Sequence, residues 1–191
     1  MITHLNGRLI EKTPTSIIVE CGGVGYFVKI SLNTFSKIGK EENIKIYTQL
    51  QVREDAHTLY GFYGVKEREM FNHLISVSGI GANTGILMLS ALTPEEIAAG
   101  IVGEDVALIK SIKGIGEKTA QRVIIDLKDK VAKADFGTEN VFVVNNTNRN
   151  DALTALLSLG FDKKRAEKAM KKVMTEDQTV EEIIKEALKV L

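Results

Sequence analysis

Two short segments of the sequence carry the same glycine pattern and could bind anions. Residues 74–84 and 109–119 align at an offset of 35 residues, and each contains a Gly-Ile-Gly triplet, at 79–81 and at 114–116. Apolar residues three apart precede each triplet, and a helical pattern follows it. Glycine permits backbone conformations that are closed to other residues, and the first N–H groups of the following helix lack intrahelical partners. Each triplet therefore predicts a backbone anion site at a helix N-terminus.

Two such sites at a fixed spacing suit a polymer of phosphates better than one small phosphate compound. The amide groups of Gly81 and Gly116, and of the residues that follow them, would point outward, while Ile80 and Ile115 anchor the turns. A competing interpretation is that the glycines only make tight connections between helices. The duplication of the whole pattern favours a ligand over this alternative.

Two familiar nucleotide motifs do not fit the sequence. Residues 116–119, Gly-Glu-Lys-Thr, are similar to the end of a P-loop, but that motif places Lys directly after Gly and follows a strand. Gly23 and Gly25 lack the third glycine and the following helix of a dinucleotide-binding turn. The three histidines have no metal-ligand spacing, and no catalytic triad is indicated. We therefore expect no cofactor, no metal and no catalysis by this chain alone.

Charge restricts how a phosphate polymer could be bound. The chain of 191 residues has 25 basic and 25 acidic residues, and the net charge of zero excludes a uniformly basic coat. Residues 108–133 nevertheless have a local excess of +4. The basic residues there are Lys110, Lys113, Lys118, Arg122, Lys128, Lys130 and Lys133, and the acidic ones are Glu117, Asp126 and Asp129. We expect binding to depend on backbone donors and a short basic helix, on which Lys118 and Arg122 share one face.

Composition also indicates the compartment. Cys21 is the only cysteine, so no internal disulfide is possible and a reducing compartment is the simpler interpretation. No apolar run approaches the ~20 residues that span a bilayer, and the N-terminus lacks the apolar stretch of a signal peptide. We expect a soluble, cytoplasmic protein with no membrane partner.

The first third of the chain has the pattern of a small barrel. Short runs rich in β-branched and aromatic residues are separated by turn formers, and residues 26–30 show the period of two that is typical of strands. Five or six strands in about 60 residues favour a closed sheet, since closure removes exposed edges. The runs are residues 2–10, 16–20, 25–30, 44–50 and 59–63.

After Gly64 the apolar spacing changes to three and four residues, which predicts helices. Thr93 and Pro94, followed by two glutamates, form a strong helix start. Residues 135–148 are polar, have no helical period and predict a flexible linker. The predicted helices are 66–76, 83–91, 94–101, 106–111 and 117–132, and then 151–158, 163–174 and 180–191 in a small C-terminal domain.

Together these motifs resemble the RuvA family, the junction-binding subunits of bacterial branch-migration complexes. The resemblance extends over essentially the whole chain, and the twin triplets resemble a tandem helix-hairpin-helix module. It implies an α+β multidomain protein in four parts. These are an N-terminal OB-fold β-barrel (1–63), a central tandem helix-hairpin-helix domain (64–134), a flexible linker (135–148) and a C-terminal three-helix, ubiquitin-associated-like domain (149–191). Further matching stretches are residues 5–7, 22–26, 52–55 and 59–62.

The resemblance implies that the protein binds four-way (Holliday) DNA junctions without sequence preference and holds them open and planar. This activity serves recombination and DNA repair, including the SOS response. A homotetramer, with one or two tetramers per junction, would recruit the hexameric ATPase RuvB and act alongside the resolvase RuvC. Each hairpin pair would hold phosphates across a minor groove. The residues assigned to this contact are Gly79, Gly81, Ala82, Asn83, Gly114, Gly116, Glu117, Lys118, Thr119 and Arg122.

Two more sites follow from the resemblance alone. Glu54 and Asp55 would form an acidic pin at the junction centre that repels phosphates, whereas without the resemblance they are ordinary surface charges. An exposed part of the C-terminal domain would bind RuvB. The residues assigned to that surface are Leu156, Leu159, Phe161 and Met170.

The hairpins depart from the family pattern at two positions. The first hairpin has Asn83 where the family often carries Lys, and the second has Glu117 beside the turn. Charge-assisted contacts are the stronger ones, so we expect the first hairpin to rely on amides. Binding should then depend less steeply on salt than in a relative with both lysines.

Two other classes of function, a DNA repair enzyme and a protein adaptor, compete with this interpretation. Helix-hairpin-helix modules occur in DNA glycosylases and nucleases, where a Lys or Asp shortly after a hairpin would be catalytic. Asp126 and Asp129 lie at such a place, but on an ordinary charged helix. A protein adaptor acting only through the C-terminal domain would leave the twin hairpins unexplained.

Overall fold

The computed structural model describes residues 1–39, 41–134, 136, 152–173 and 178–190. The chain divides into two compact units, Met1–Gly137 and Thr138–Leu191. The predicted barrel and the predicted hairpin domain therefore lie together in the first unit.

Five strands form a closed barrel with the order β1-β2-β3-β5-β4, as in an OB-fold. Neighbouring strands are antiparallel except β3 and β5, which pair in parallel. Alternate apolar side chains point inward, and Val19, Val28 and Ile46 are fully buried. The strands are β1 (His4–Lys12), β2 (Ser16–Cys21), β3 (Val24–Ile30), β4 (Asn43–Val52) and β5 (His57–Phe62), close to the predicted runs.

A short helix, α1 (Leu32–Lys37), follows β3 and was not predicted. The Ser31 hydroxyl caps it by accepting a hydrogen bond from the Thr34 amide at 3.0 Å. In the same first turn the Asn33 side-chain amide donates to the carbonyl oxygens of Leu89 and Leu92, at 2.6 and 2.9 Å. α1 therefore ties the barrel to the helices that follow.

Five helices complete the first unit, and their bounds lie within two residues of the predicted ones. The start of α4 has the predicted capping box, in which Thr93 and Glu96 bond to each other's backbone amides. The helices are α2 (Val65–Ile75), α3 (Ala82–Ala91), α4 (Pro94–Val102), α5 (Val106–Lys110) and α6 (Glu117–Lys133).

One aromatic cluster joins the barrel to these helices. The rings of Tyr60 and Phe62 on β5 lie 5.2 and 4.9 Å from the ring of Phe71 on α2. Phe136, inside the predicted linker, is buried in the same core and lies 6.1 Å from the His73 ring. It belongs to the folded unit and not to the linker, and the rest of residues 135–148 lies outside the described residues.

The described residues of the second unit form three helices around a small apolar core. They are α7 (residues 152–158), α8 (Lys163–Val173) and α9 (Val180–Val190). Gly160, with φ of 94°, turns the chain between α7 and α8. The buried core residues are Ala152, Leu156, Ala166, Ala169, Met170, Ile183 and Ala187.

Within the described residues, no single helix is long and apolar enough to cross a membrane. α3 and α4 meet the length and composition test only as a pair, with a bend of 98° between them.

Candidate nucleic-acid interface

The two Gly-Ile-Gly segments adopt the same conformation. Gly79 and Gly114 have φ of 97° and 91°, in the left-handed region that glycine tolerates. The backbone bonds repeat as well: the N–H after each of these glycines donates to the carbonyl three residues earlier, at 3.0 Å in the first turn and 3.1 Å in the second. Ile80 and Ile115 anchor the turns, and each is only 5% exposed. The internal repeat of the sequence is therefore a structural repeat.

Gly81 and Gly116 differ from these two glycines, because the fold does not require glycine at positions 81 and 116. Both have extended backbone, with φ of −84° and −80°, which any residue can adopt. A Cβ built on either would meet no atom within 4 Å. Each is the N-cap of its helix, yet neither α3 nor α6 has a side-chain cap, whereas Asp105 and Thr93 cap α5 and α4. The first amides of α3 and α6 therefore have no capping side chain and lie at an open surface.

Side chains around the second hairpin add positive charge to this surface. Lys118 and Arg122 on α6 are exposed, and Arg122 Nη1 donates to the Ser78 carbonyl oxygen at 3.5 Å. This long hydrogen bond links the second hairpin to the turn of the first. Thr119 is half-buried and contributes mainly its backbone.

The Glu117 carboxylate lies in the first turn of α6, where it stabilises the helix but would repel a phosphate. Its Oε2 atom is paired with Lys110 Nζ at 3.2 Å, and both side chains are largely exposed. The pair offsets the negative charge beside the Gly116 amides. A second exposed pair, between Lys128 and Glu104, joins α6 to the end of α4.

Asn83 in the first hairpin contacts the barrel. The Tyr60 hydroxyl lies 3.3 Å from Asn83 Oδ1. Burial raises the pKa of Tyr60, with the nearby Arg53 opposing this effect, so the hydroxyl stays protonated and donates the bond. The Asn83 side-chain NH₂ group is left with its two donors for other acceptors. The side chain of neighbouring Ala82 is buried, so only its backbone contributes to the surface.

Glu54 and Asp55 form the tip of the β4–β5 hairpin. Val52 pairs with His57, and the Arg53 amide donates to the Ala56 carbonyl at 2.9 Å, which leaves the two acids as the exposed turn residues. Neither carboxylate forms an ion pair or hydrogen bond with another described residue.

The residues assigned to a motor-binding surface divide into two groups. Leu156 and Met170 are 0% and 2% exposed and belong to the core of the second unit, so their side chains are not available to a partner. Phe161 is half-buried and Leu159 is 60% exposed. The spacing of apolar residues along these short helices does not distinguish core positions from exposed ones. Leu157, a neighbouring apolar residue that was not assigned to the surface, is 40% exposed.

The described part of the chain has no group of three or more His, Cys, Asp or Glu side chains placed to hold a metal ion. Asp126 and Asp129 are exposed on α6. Cys21 Sγ lies 3.4 Å from the Asn6 carbonyl oxygen, at the edge of the barrel.

Comparisons with known proteins cover nearly the whole chain. Residues 1–61 match the family described as RuvA N terminal domain, 71–129 match SAM-like Helix-hairpin-helix tandem, and 147–191 match RuvA, C-terminal domain. A protein of Christiangramia forsetii, named Holliday junction branch migration complex subunit RuvA, is 56% identical over 194 residues, covering 100% of both chains. Proteins of the same name from Flavobacterium psychrophilum and Cytophaga hutchinsonii are 50% and 46% identical, each over 99% of both chains. The chain belongs to the RuvA family.

Proposed function

We propose that this protein binds four-way DNA junctions independently of sequence, holds them open and planar, and couples them to the RuvB motor for branch migration. The observation that carries the proposal is the pair of hairpins with uncapped amides at Gly81 and Gly116. The names of the relatives, which describe a Holliday junction branch migration complex subunit, support it.

The hairpins can bind DNA through backbone geometry alone. Amides at a helix N-terminus donate to phosphate oxygens without reading bases, which gives affinity but no sequence preference. Lys118 and Arg122 add charge-assisted contacts beside the second hairpin. The Arg122–Ser78 bond helps to fix the spacing between the hairpins, so that both meet phosphates of one duplex arm.

The acidic turn adds selectivity for the junction. In a homotetramer with fourfold symmetry, four copies of Glu54 and Asp55 would surround the crossover point. Negative charge there disfavours the continuous phosphate backbone of an ordinary duplex and keeps the separating strands apart.

Motor coupling belongs to the second unit in this proposal. Leu159, Leu157 and the half-buried Phe161 form the apolar surface offered to RuvB. The chain itself contributes binding, and ATP hydrolysis belongs to the motor. RuvC would act on the same junction in the bacterial cytoplasm.

A native gel tests the junction preference directly. The protein is titrated into a four-way junction and into linear duplex of equal length, with and without Mg²⁺, which screens phosphate repulsion. Much tighter binding to the junction in both conditions supports the proposal, and equal affinity for the two DNAs contradicts it. A cleavage assay on junction, abasic and mismatched DNA tests the alternative, a helix-hairpin-helix repair enzyme.

The motor assignment has its own test. Truncation after Asn148 should preserve the preference for junction over linear duplex and abolish migration driven by RuvB and ATP. Migration by the truncated chain would show that the motor binds elsewhere.

A further inference from the structure

Basic residues are concentrated on one helix of the second unit. α8 carries six basic residues and one acidic residue, Glu167, among its eleven positions, although the whole chain has no net charge. All six are exposed. They are Lys163, Lys164, Arg165, Lys168, Lys171 and Lys172.

This arrangement works against the stability of the helix. Three cations occupy the first turn, where the helix dipole favours negative charge. Lys164 and Lys168, and again Lys168 and Lys172, are like charges four residues apart, and such pairs destabilise a helix. Only Asp162, whose carboxylate accepts from the Lys164 amide at 3.0 Å, complements the N-terminus. Lys171 and Lys172, in the last turn, complement the dipole, so folding accounts for these two cations and not for the other four.

The five lysines of α8 are also not paired with carboxylates of the described residues. No ion pair joins Lys163, Lys164, Lys168, Lys171 or Lys172 to an acidic side chain among residues 1–39, 41–134, 136, 152–173 and 178–190. Three of the cations, Arg165, Lys168 and Lys172, instead line one cleft of about 220 Å³ with Ala169 and Val190. The cleft concentrates charge on one side of the helix.

The chemistry of this face favours a phosphate backbone over a protein partner. The apolar side of α8, formed by Ala166, Ala169 and Met170, is already buried in the core, which leaves no large apolar residue exposed on the helix. Protein interfaces are depleted in lysine and centred on apolar anchors, and five of the six cations here are lysines. Flexible lysines that neutralise phosphates and release counterions are the usual basis of sequence-independent DNA binding.

We propose that the exposed face of α8 is a second binding site for duplex DNA, which contacts backbone phosphates of the junction arms independently of the hairpins. This inference rests on the proposed function, because the duplex that α8 would contact is an arm of the bound junction. The site would add affinity and salt dependence without adding selectivity for the junction, because every duplex arm presents the same phosphates.

The test is a double substitution in the full-length chain, Lys168→Gln with Lys172→Gln. Loss of two phosphate contacts should reduce the slope of log affinity against log salt, for junction and linear duplex alike, by about 1.8 for each chain of the assembly whose α8 contacts the DNA. The matched control is Lys185→Gln with Lys189→Gln on α9, which removes the same charge from the same unit and should leave the slope unchanged. Glutamine keeps helix propensity and relieves the repulsion on α8, and circular dichroism checks that the unit stays folded.

The outcomes separate this inference from the proposed function. An unchanged slope in the α8 variant, with junction preference intact, overturns the inference alone. Unchanged DNA binding combined with weaker RuvB-driven migration also overturns it, because the face would then bind a protein. If the unsubstituted protein shows no preference for the junction, the proposed function is contradicted. A smaller slope on linear duplex in the α8 variant would still support the α8 site in that case.

Discussion

The hydroxyl of Tyr60, on the last barrel strand, donates a 3.3 Å hydrogen bond to Oδ1 of Asn83, in the first turn of α3. The bond connects the barrel, which carries the acidic turn, to the hairpin that carries the first set of open amides. The Asn83 side chain is held by the barrel and contributes neutral donors, where a lysine would contribute charge.

Asn83→Lys should therefore increase junction affinity at low salt and steepen its salt dependence. One added cation that neutralises one phosphate changes the slope of log affinity against log salt by about 0.9. The variant should unfold more easily by up to about 1 kcal/mol, because the partly buried Tyr60 hydroxyl loses its acceptor. The control is Asn83→Ala, which should weaken binding with no change in slope. An equal slope in the Lys variant and the unsubstituted protein would show that position 83 does not face the DNA.

Gly116→Ser should separate folding from binding. Serine is a slightly better N-cap than glycine and an added Cβ meets no neighbour here, so the free energy of unfolding should stay the same or rise by roughly 0.3 kcal/mol. The hydroxyl would occupy an α6 amide and obstruct close approach of a phosphate, so we expect junction affinity to fall about tenfold, equivalent to about 1.4 kcal/mol. Titration by fluorescence anisotropy and chemical denaturation measure the two effects.

Gly114→Ala is the contrasting variant. Its φ of 91° strains any residue with a Cβ, at a cost of about 1–2 kcal/mol, so this substitution should lower stability. If Gly116→Ser instead lowered stability and left binding intact, the glycine would serve the fold and the amide site would be wrong.

Elements with signals in a short stretch of sequence can be predicted, whereas elements that depend on contacts between distant residues cannot. Barrel strands and hairpins were predictable because their signals, a period of two and the repeated triplets, are local. α1 was missed because six residues hold a helix only through distant partners, as when Asn33 bonds to the carbonyls of Leu89 and Leu92. The Tyr60–Asn83 bond was equally invisible in sequence. Leu156 and Met170 show the same limit, since apolar spacing does not tell buried positions from partner contacts.

Neutralising the acidic turn, Glu54→Gln with Asp55→Asn, should change selectivity and not stability. Both residues are exposed at the tip of a two-residue turn, so the fold loses nothing that depends on their charge. Affinity for linear duplex should rise more than affinity for the junction, because repulsion of a continuous backbone is removed. A competition gel with both DNAs in one reaction gives the ratio, and an unchanged ratio would refute the acidic pin.

Glu117→Gln should tighten DNA binding several-fold. The substitution removes a carboxylate beside the open amides and releases Lys110, its partner at 3.2 Å, to act on phosphate. The helix should lose about 0.3–1 kcal/mol of dipole stabilisation. Glu104→Gln is the matched control, since it breaks the other exposed Lys–Glu pair of α6 at a site remote from Gly116 in sequence. Equal effects of the two variants would indicate a general charge effect.

Glu67 should make the stability of the first unit depend on pH. Its carboxylate is 2% exposed and accepts hydrogen bonds from the hydroxyls of Ser31 and Thr34. Burial raises the pKa of Glu67, with a smaller contribution from Glu95, while the two hydroxyls and Lys37 oppose the shift. The folded state therefore binds this proton more tightly than the unfolded state. The resulting stabilisation is complete below the unfolded pKa, about 4.5, and is lost as pH rises through the folded pKa.

Glu67→Gln, which cannot titrate, measures this contribution. The difference in unfolding free energy between the unsubstituted protein and the variant should favour the unsubstituted protein most below pH 4.5. It should then decline as pH rises and level off once Glu67 is ionised in the folded state. All four tyrosines lie in the first unit, so tyrosine fluorescence during urea denaturation reports on that unit alone. A difference that grew with pH would mean that the hydroxyls and Lys37 stabilise the ionised carboxylate more than burial disfavours it.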